Sequence, residues 1–198
     1  MEIRVVLVAA LVAALAGVAS ANWDITPEDL TTCKSVLKMI PELKNTADGH
    51  TVFCPTNEAF TEFAEMLGFE GTNPVAQLMS SASQGPAMLK AIVGFHVTKG
   101  VMPAANLHDG ASIKTLADGA ALRIVRDGDD IEIASTLIDV ESADSDDPEH
   151  TDFVSHADLT FDGFYDKKSK HVIHAIERVL VPQAAAAAMR QLYIANTE

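Results

Sequence analysis

The apolar positions of the chain follow two periods, and the change between them divides it. Leu30, Cys33, Leu37 and Ile40 recur at helical spacing. Thr26 is placed to cap that helix, Pro27 suits its first position, and Pro41 stops it. Residues 50–54 then read as a short buried strand, which Pro55 breaks because it has no N–H to give a sheet. Thr56 is the next cap, and Phe60, Phe63, Ala64 and Leu67 follow at i, i+3, i+4 and i+7. Asn73-Pro74 and Gly85-Pro86 open two further helical stretches, the second with Met88, Leu89, Ile92 and Val93 apolar. From Ser112 the period becomes two. Segments 113–116, 121–125 and 131–134 read as strands, the last two joined by a turn at Asp127-Gly128-Asp129. Residues 171–182 read as the final strand. Its two faces, Val172/His174/Ile176/Leu180 and Ile173/Ala175/Val179, are both largely apolar, as in a strand covered on both sides. An alanine-rich terminal helix follows at 184–188. Helices first and then a run of antiparallel strands predict a single α+β domain.

The N-terminus adds a compartment. Arg4, the apolar run 5–18 and Ala19-Ser20-Ala21 form the head, core and cleavage site of a secretory signal peptide, expected to span residues 1–21. The apolar core is short for a membrane span, and no second long apolar segment follows. In a secreted chain, the only two cysteines, Cys33 and Cys54, are expected to form one bridge, the alternative being two buried thiols. The formal charge of −14 repels phosphate backbones and anionic lipids, so nucleic acid is not an expected partner.

Two stretches carry a family resemblance. TVFCPTNEAF resembles the first signature of fasciclin-type domains, and HVIHAIERVLVP resembles the second. GFHVTKG between them is similar to the family's tyrosine-histidine region, with Phe95 in place of the usual Tyr. The resemblance covers residues 24–182 and leaves 183–198 as a C-terminal helix and tail. Cys54 stands where the family commonly has Ala, and Glu177 where it has Asp. The resemblance implies a wedge-shaped β-sandwich with several helices packed on one side. It also implies an extracellular adhesion, matrix or cell-wall module without enzymatic activity, whose partner is a protein or glycan. Some secreted algal relatives instead carry carotenoids, so a carrier of a carotenoid or other apolar ligand is the alternative. Thr56, Asn57, His96 and His174 would then be structural members of the motifs, with His96 buried and hydrogen-bonded near Asn57.

The residues offer little other chemistry. No nucleophile elbow, zincin motif or phosphate loop occurs. His171 and His174 alternate across a strand, so they do not ligate one metal together. The acidic stretch 141–150, with Asp144, Asp146, Asp147 and Glu149, lacks the spacing of a calcium loop and reads as a solvated loop, although its carboxylates suit calcium. Residues 160–170 read as a second long loop. There Phe161, Phe164 and Tyr165 stand beside Lys167, Lys168 and Lys170, and exposed aromatics beside cations are candidate contact residues; the alternative is that Phe161 and Phe164 fold back onto the core, leaving Tyr165 exposed. Met39, Met66, Met79, Met88 and Met102 fit core packing, or else the lining of an adaptable apolar site.

Overall fold

The computed structural model describes residues 27–38, 49–82, 86–135, 156–166 and 170–197. The expected leader at 1–21, the acidic stretch 141–150, and Thr26, Met39, Pro41, Lys167 and Lys168 lie outside them. So do the side chains of Phe161 and Phe164.

A 3-10 turn, Pro27–Leu30, leads into helix α1, Thr31–Leu37. Cys33 and Val36 are its buried residues. Strand β1, His50–Pro55, is buried along its whole length, as its uniformly apolar centre requires. Helices α2 (Asn57–Met66), α3 (Pro74–Ala82) and α4 (Pro86–Phe95) follow, the last two starting on proline. Strand β2, Val97–Lys99, comes directly after α4; at three residues it is too short to leave a periodic signal. Strands β3 (Ser112–Lys114), β4 (Ala121–Asp127) and β5 (Asp130–Ser135) follow. The β4–β5 hairpin turns on Gly128-Asp129, with Gly128 at φ 64°, a left-handed position that glycine takes without strain. Strands β6 (His156–Asp166) and β7 (His171–Ile176) complete the sheet, and α5 (Gln183–Thr197) closes the chain.

The domain is α+β, as the order of elements predicts. The strands form one seven-stranded sheet in the order β2-β1-β7-β6-β5-β4-β3. A bridge between Thr98 and Thr115 brings its two ends together, so the layers of the expected sandwich are parts of a single, nearly closed sheet. The sheet is mixed, because β1 and β7 run parallel. Two cores result from the alternation of the strands. Phe53 and Ile176 point inward to join Phe95, Leu122, Ile124 and Ile133. Val52, Cys54, Ile173 and Ala175 point outward to the helices and meet Leu30, Phe60, Phe63, Ile92 and Met189.

Two expectations need correction. The final strand ends at Ile176 and does not continue to residue 182. Beyond it the backbone bonds elsewhere: Glu177 donates its N–H to the Asp158 carbonyl, and Leu180 donates to a histidine ring. Val179 and Leu180 still part to the two cores. Residues 160–166 are not a loop but part of β6, paired with β7 through two register shifts. Gly163, at φ 93°, sits within that irregular stretch. The bulges break the alternation that would have marked a strand.

Candidate functional site

The joint between β1 and α2 is built from local chemistry. Thr56 is extended, and its hydroxyl accepts the Ala59 N–H at 3.1 Å. Its own N–H donates to the Ile176 carbonyl at 3.1 Å, which ties the joint to β7. Asn57 then locks the helices together. Its Oδ1 accepts from the Thr32 N–H at 2.9 Å, and its Nδ2 donates to the Glu28 carbonyl at 2.8 Å. It also exchanges hydrogen bonds with the Thr31 hydroxyl. From the adjacent layer, Cys54 is bonded to Cys33 with a Cα–Cα distance of 5.8 Å.

His96 is buried, but Asn57 is not its partner. Its Nδ1 donates to the Ile92 carbonyl at 2.8 Å, and its Nε2 accepts the Leu180 N–H at 2.9 Å. Since Nε2 must accept, the neutral ring carries its proton on Nδ1. Burial lowers its pKa to about 4, against the smaller raising effect of the Ile92 carbonyl. Asn57 is occupied with the 3-10 turn and α1, so it leaves the role to backbone groups. His174 lies in the other core. It stacks on Phe53 with ring centroids 5.6 Å apart, and its Nε2 bonds the Met102 carbonyl at 2.8 Å. The backbone of Gly163 passes so close that a Cβ there would stand 2.8 Å from the His174 Nδ1. Thr56, Asn57, His96 and His174 therefore belong to three separate networks and do not converge on one site.

The outward-facing features are different ones. Tyr165, near the end of β6, is 51% exposed. A surface groove of about 270 Å³ runs beside α2, lined by Ala59, Glu62, Phe63, Met66, Arg178 and Val179. A cavity of about 30 Å³ between the helices is lined by Met79, Met88, Met189, Phe60, Ile92 and His96, among others, and is almost wholly apolar. That is space on the scale of water-sized molecules and not of a larger ligand. Among the described residues no three His, Cys, Asp or Glu side chains group to hold a metal, and no helix is long and apolar enough to cross a membrane. The sequence pattern did not reveal the groove. The signal for its charged margin was present, in Glu58, Glu62 and Glu65 at i, i+4 and i+7 of α2. Its far wall, Arg178 and Val179, is joined to α2 only by the fold.

The fasciclin domain pattern matches residues 28–182, a span that begins at the Asn57 lock and ends just beyond Leu180. The chain belongs to the fasciclin-domain family. Among solved structures, this fasciclin domain is similar to a FAS1 domain pair from the insect cell adhesion molecule fasciclin I. The identity is 15% and the TM-score 0.46, covering 76% of this chain and 42% of that one. The chain thus spans less than half of that domain pair. No curated protein sequence matches it.

Proposed function

We propose that this fasciclin-domain protein is a secreted, non-enzymatic module that recognises an extracellular protein or glycan in a matrix or cell wall. One observation carries the reading: Thr56, Asn57 and His96 of the family motifs spend their polar groups on holding the fold together. Thr56 caps a helix, Asn57 ties three segments, and His96 has both ring nitrogens bonded to backbone. What remains for recognition is the outer surface, including Tyr165 and the α2 groove. The Cys33–Cys54 bridge agrees with an oxidising compartment. The test is retention of the secreted chain on extracellular material from its native source. Saturable retention is expected, and free passage over every such fraction would overturn the reading. Tyr165, together with Phe161 and Phe164 of the same strand, is assigned to this contact. Replacing Phe164 and Tyr165 with Ser in a protein that still folds should weaken retention, and unchanged binding would remove the strand from the site.

A second reading, carriage of a carotenoid or other apolar ligand, draws on the apolar cavity with its three methionines. At about 30 Å³ it admits no such ligand until the helices part, and Met side chains are suited to that adjustment. Protein purified from its native source would then be coloured, and solvent extraction with mass spectrometry would identify the ligand. A colourless extract without apolar ligand would sink this reading and leave the first intact.

A further inference from the structure

Helix α2 has two unlike faces. Ala59, Phe60, Phe63 and Ala64 are buried. Glu58, Glu62 and Glu65 are exposed, and their i, i+4, i+7 spacing sets them in one stripe. Like charges at that spacing repel and weaken a helix, and no described residue forms an ion pair with any of the three. The groove of about 270 Å³ runs beside this stripe, with Ala59, Phe63, Met66 and Val179 apolar and Glu62 on its margin. Arg178, on the other margin, has a carboxylate partner of its own in Glu177 at 3.4 Å. Glu28 is also exposed, and its carbonyl is tied to Asn57 at the start of α2, so one more acidic residue stands at that end of the helix.

We propose that this groove docks a polypeptide segment of an extracellular partner in which an apolar side chain is flanked by Lys or Arg. The apolar side chain lies on the floor made by Ala59, Phe63, Met66 and Val179, and the cations meet Glu58, Glu62 and Glu65. This rests on the interaction-module reading and names its face and the partner's chemistry. The charge of −14 on the whole chain adds long-range attraction for such a segment. A neutral or anionic glycan would gain nothing from the stripe, and a bare metal cation would be indifferent to the apolar floor.

The probes are two fluorescent peptides of equal charge, one with a Leu flanked by Lys and Arg, the other with that Leu replaced by Ser. Each is titrated into the secreted chain at about 0.15 M salt, where remote charges are largely screened. The exposed triple E58Q/E62Q/E65Q is compared with D118N/D129N/D130N, which removes the same charge from exposed positions elsewhere. The α2 triple should bind the Leu peptide about tenfold more weakly, and the control triple within about twofold of the unaltered chain. The Ser peptide should bind the unaltered chain more weakly than the Leu peptide. Equal losses in both triples, or equal affinity for both peptides, would overturn the assignment. So would sedimentation showing self-association that E58Q/E62Q/E65Q abolishes, since the face would then belong to a second copy. Retention on native extracellular material separates the two levels. If E58Q/E62Q/E65Q is retained like the unaltered chain, the docking face is wrong and the module reading stands. If the unaltered chain is not retained at all, the module reading fails, whatever the peptides do.

Discussion

Protonating His96 should destabilise the protein, and the size of the effect follows from its surroundings. The ring is buried, with Nδ1–H on the Ile92 carbonyl and Nε2 accepting from Leu180. A second proton would go to Nε2, so it would break the Leu180 bond and place a charge among apolar side chains. Its pKa falls from 6.5 to about 4 in the folded protein, so between those values the unfolded chain binds more protons than the native one. Stability therefore falls as pH drops from about 6.5 toward 4. Each pH unit crossed in that window costs about 1.4 kcal/mol, so the loss reaches about 3 kcal/mol by about pH 4. Above about pH 7 the ring is neutral in both states and adds no slope. Carboxylates also titrate at the acid end, so the assay is a comparison. Urea unfolding of the unaltered chain and of His96→Gln would be followed from about pH 7.5 to about pH 4. The variant should be less stable by about 1–3 kcal/mol at the upper end, through its disturbed buried hydrogen bonds. The gap should then shrink by about 3 kcal/mol toward the acid end. Parallel curves over that range would refute the argument.

Removing the bridge with Cys33→Ser and Cys54→Ser should cost about 3 kcal/mol, from the loop that it closes in the unfolded chain; an unchanged guanidinium midpoint would contradict this. Asn57→Ala should cost about 1–2 kcal/mol and speed hydrogen exchange at the Thr32 amide, its direct donor; unchanged exchange there would count against the lock. Gly163→Ala should lower the melting temperature more than Gly110→Ala. Both glycines have positive φ, but a Cβ at 163 meets the His174 ring, whereas nothing lies within 4 Å at 110. Equal losses would show that the close approach to His174 carries no weight.

Where the determinants are local, the fold was legible in the sequence. Pro55 and Thr56 announce the change from strand to helix because a missing N–H and a capping hydroxyl act within a few residues. The double burial of β7 was also readable, since both its faces are apolar. The partners of His96 were not. They are backbone atoms, which carry no sequence signature, and one belongs to a residue 84 positions away. β6 was hidden because its register shifts interrupt the period of two. Of the outer surface, the exposure of Tyr165 could be anticipated from its polar neighbours. The groove could not, because its two walls come from α2 and from the segment after β7.

The parallel pairing of β1 with β7 also fixes an order of events. Phe53 lies opposite His174, so two neighbouring strands of the sheet are separated along the chain by all of the others. β1 can pair early with β2, and the Cys33–Cys54 loop spans only 21 positions, so the helical half has local contacts to assemble on. The other edge of β1 has no mate until residue 171 emerges. Pairings of such long range are slow to close, and an open strand edge invites wrong partners in the meantime. A chain halted before β7 would expose that edge of β1, together with the side of β6 that β7 covers. Assembly of this sheet is therefore gated by its last strand, and a chain of this design depends on whatever guards unpaired edges while it folds.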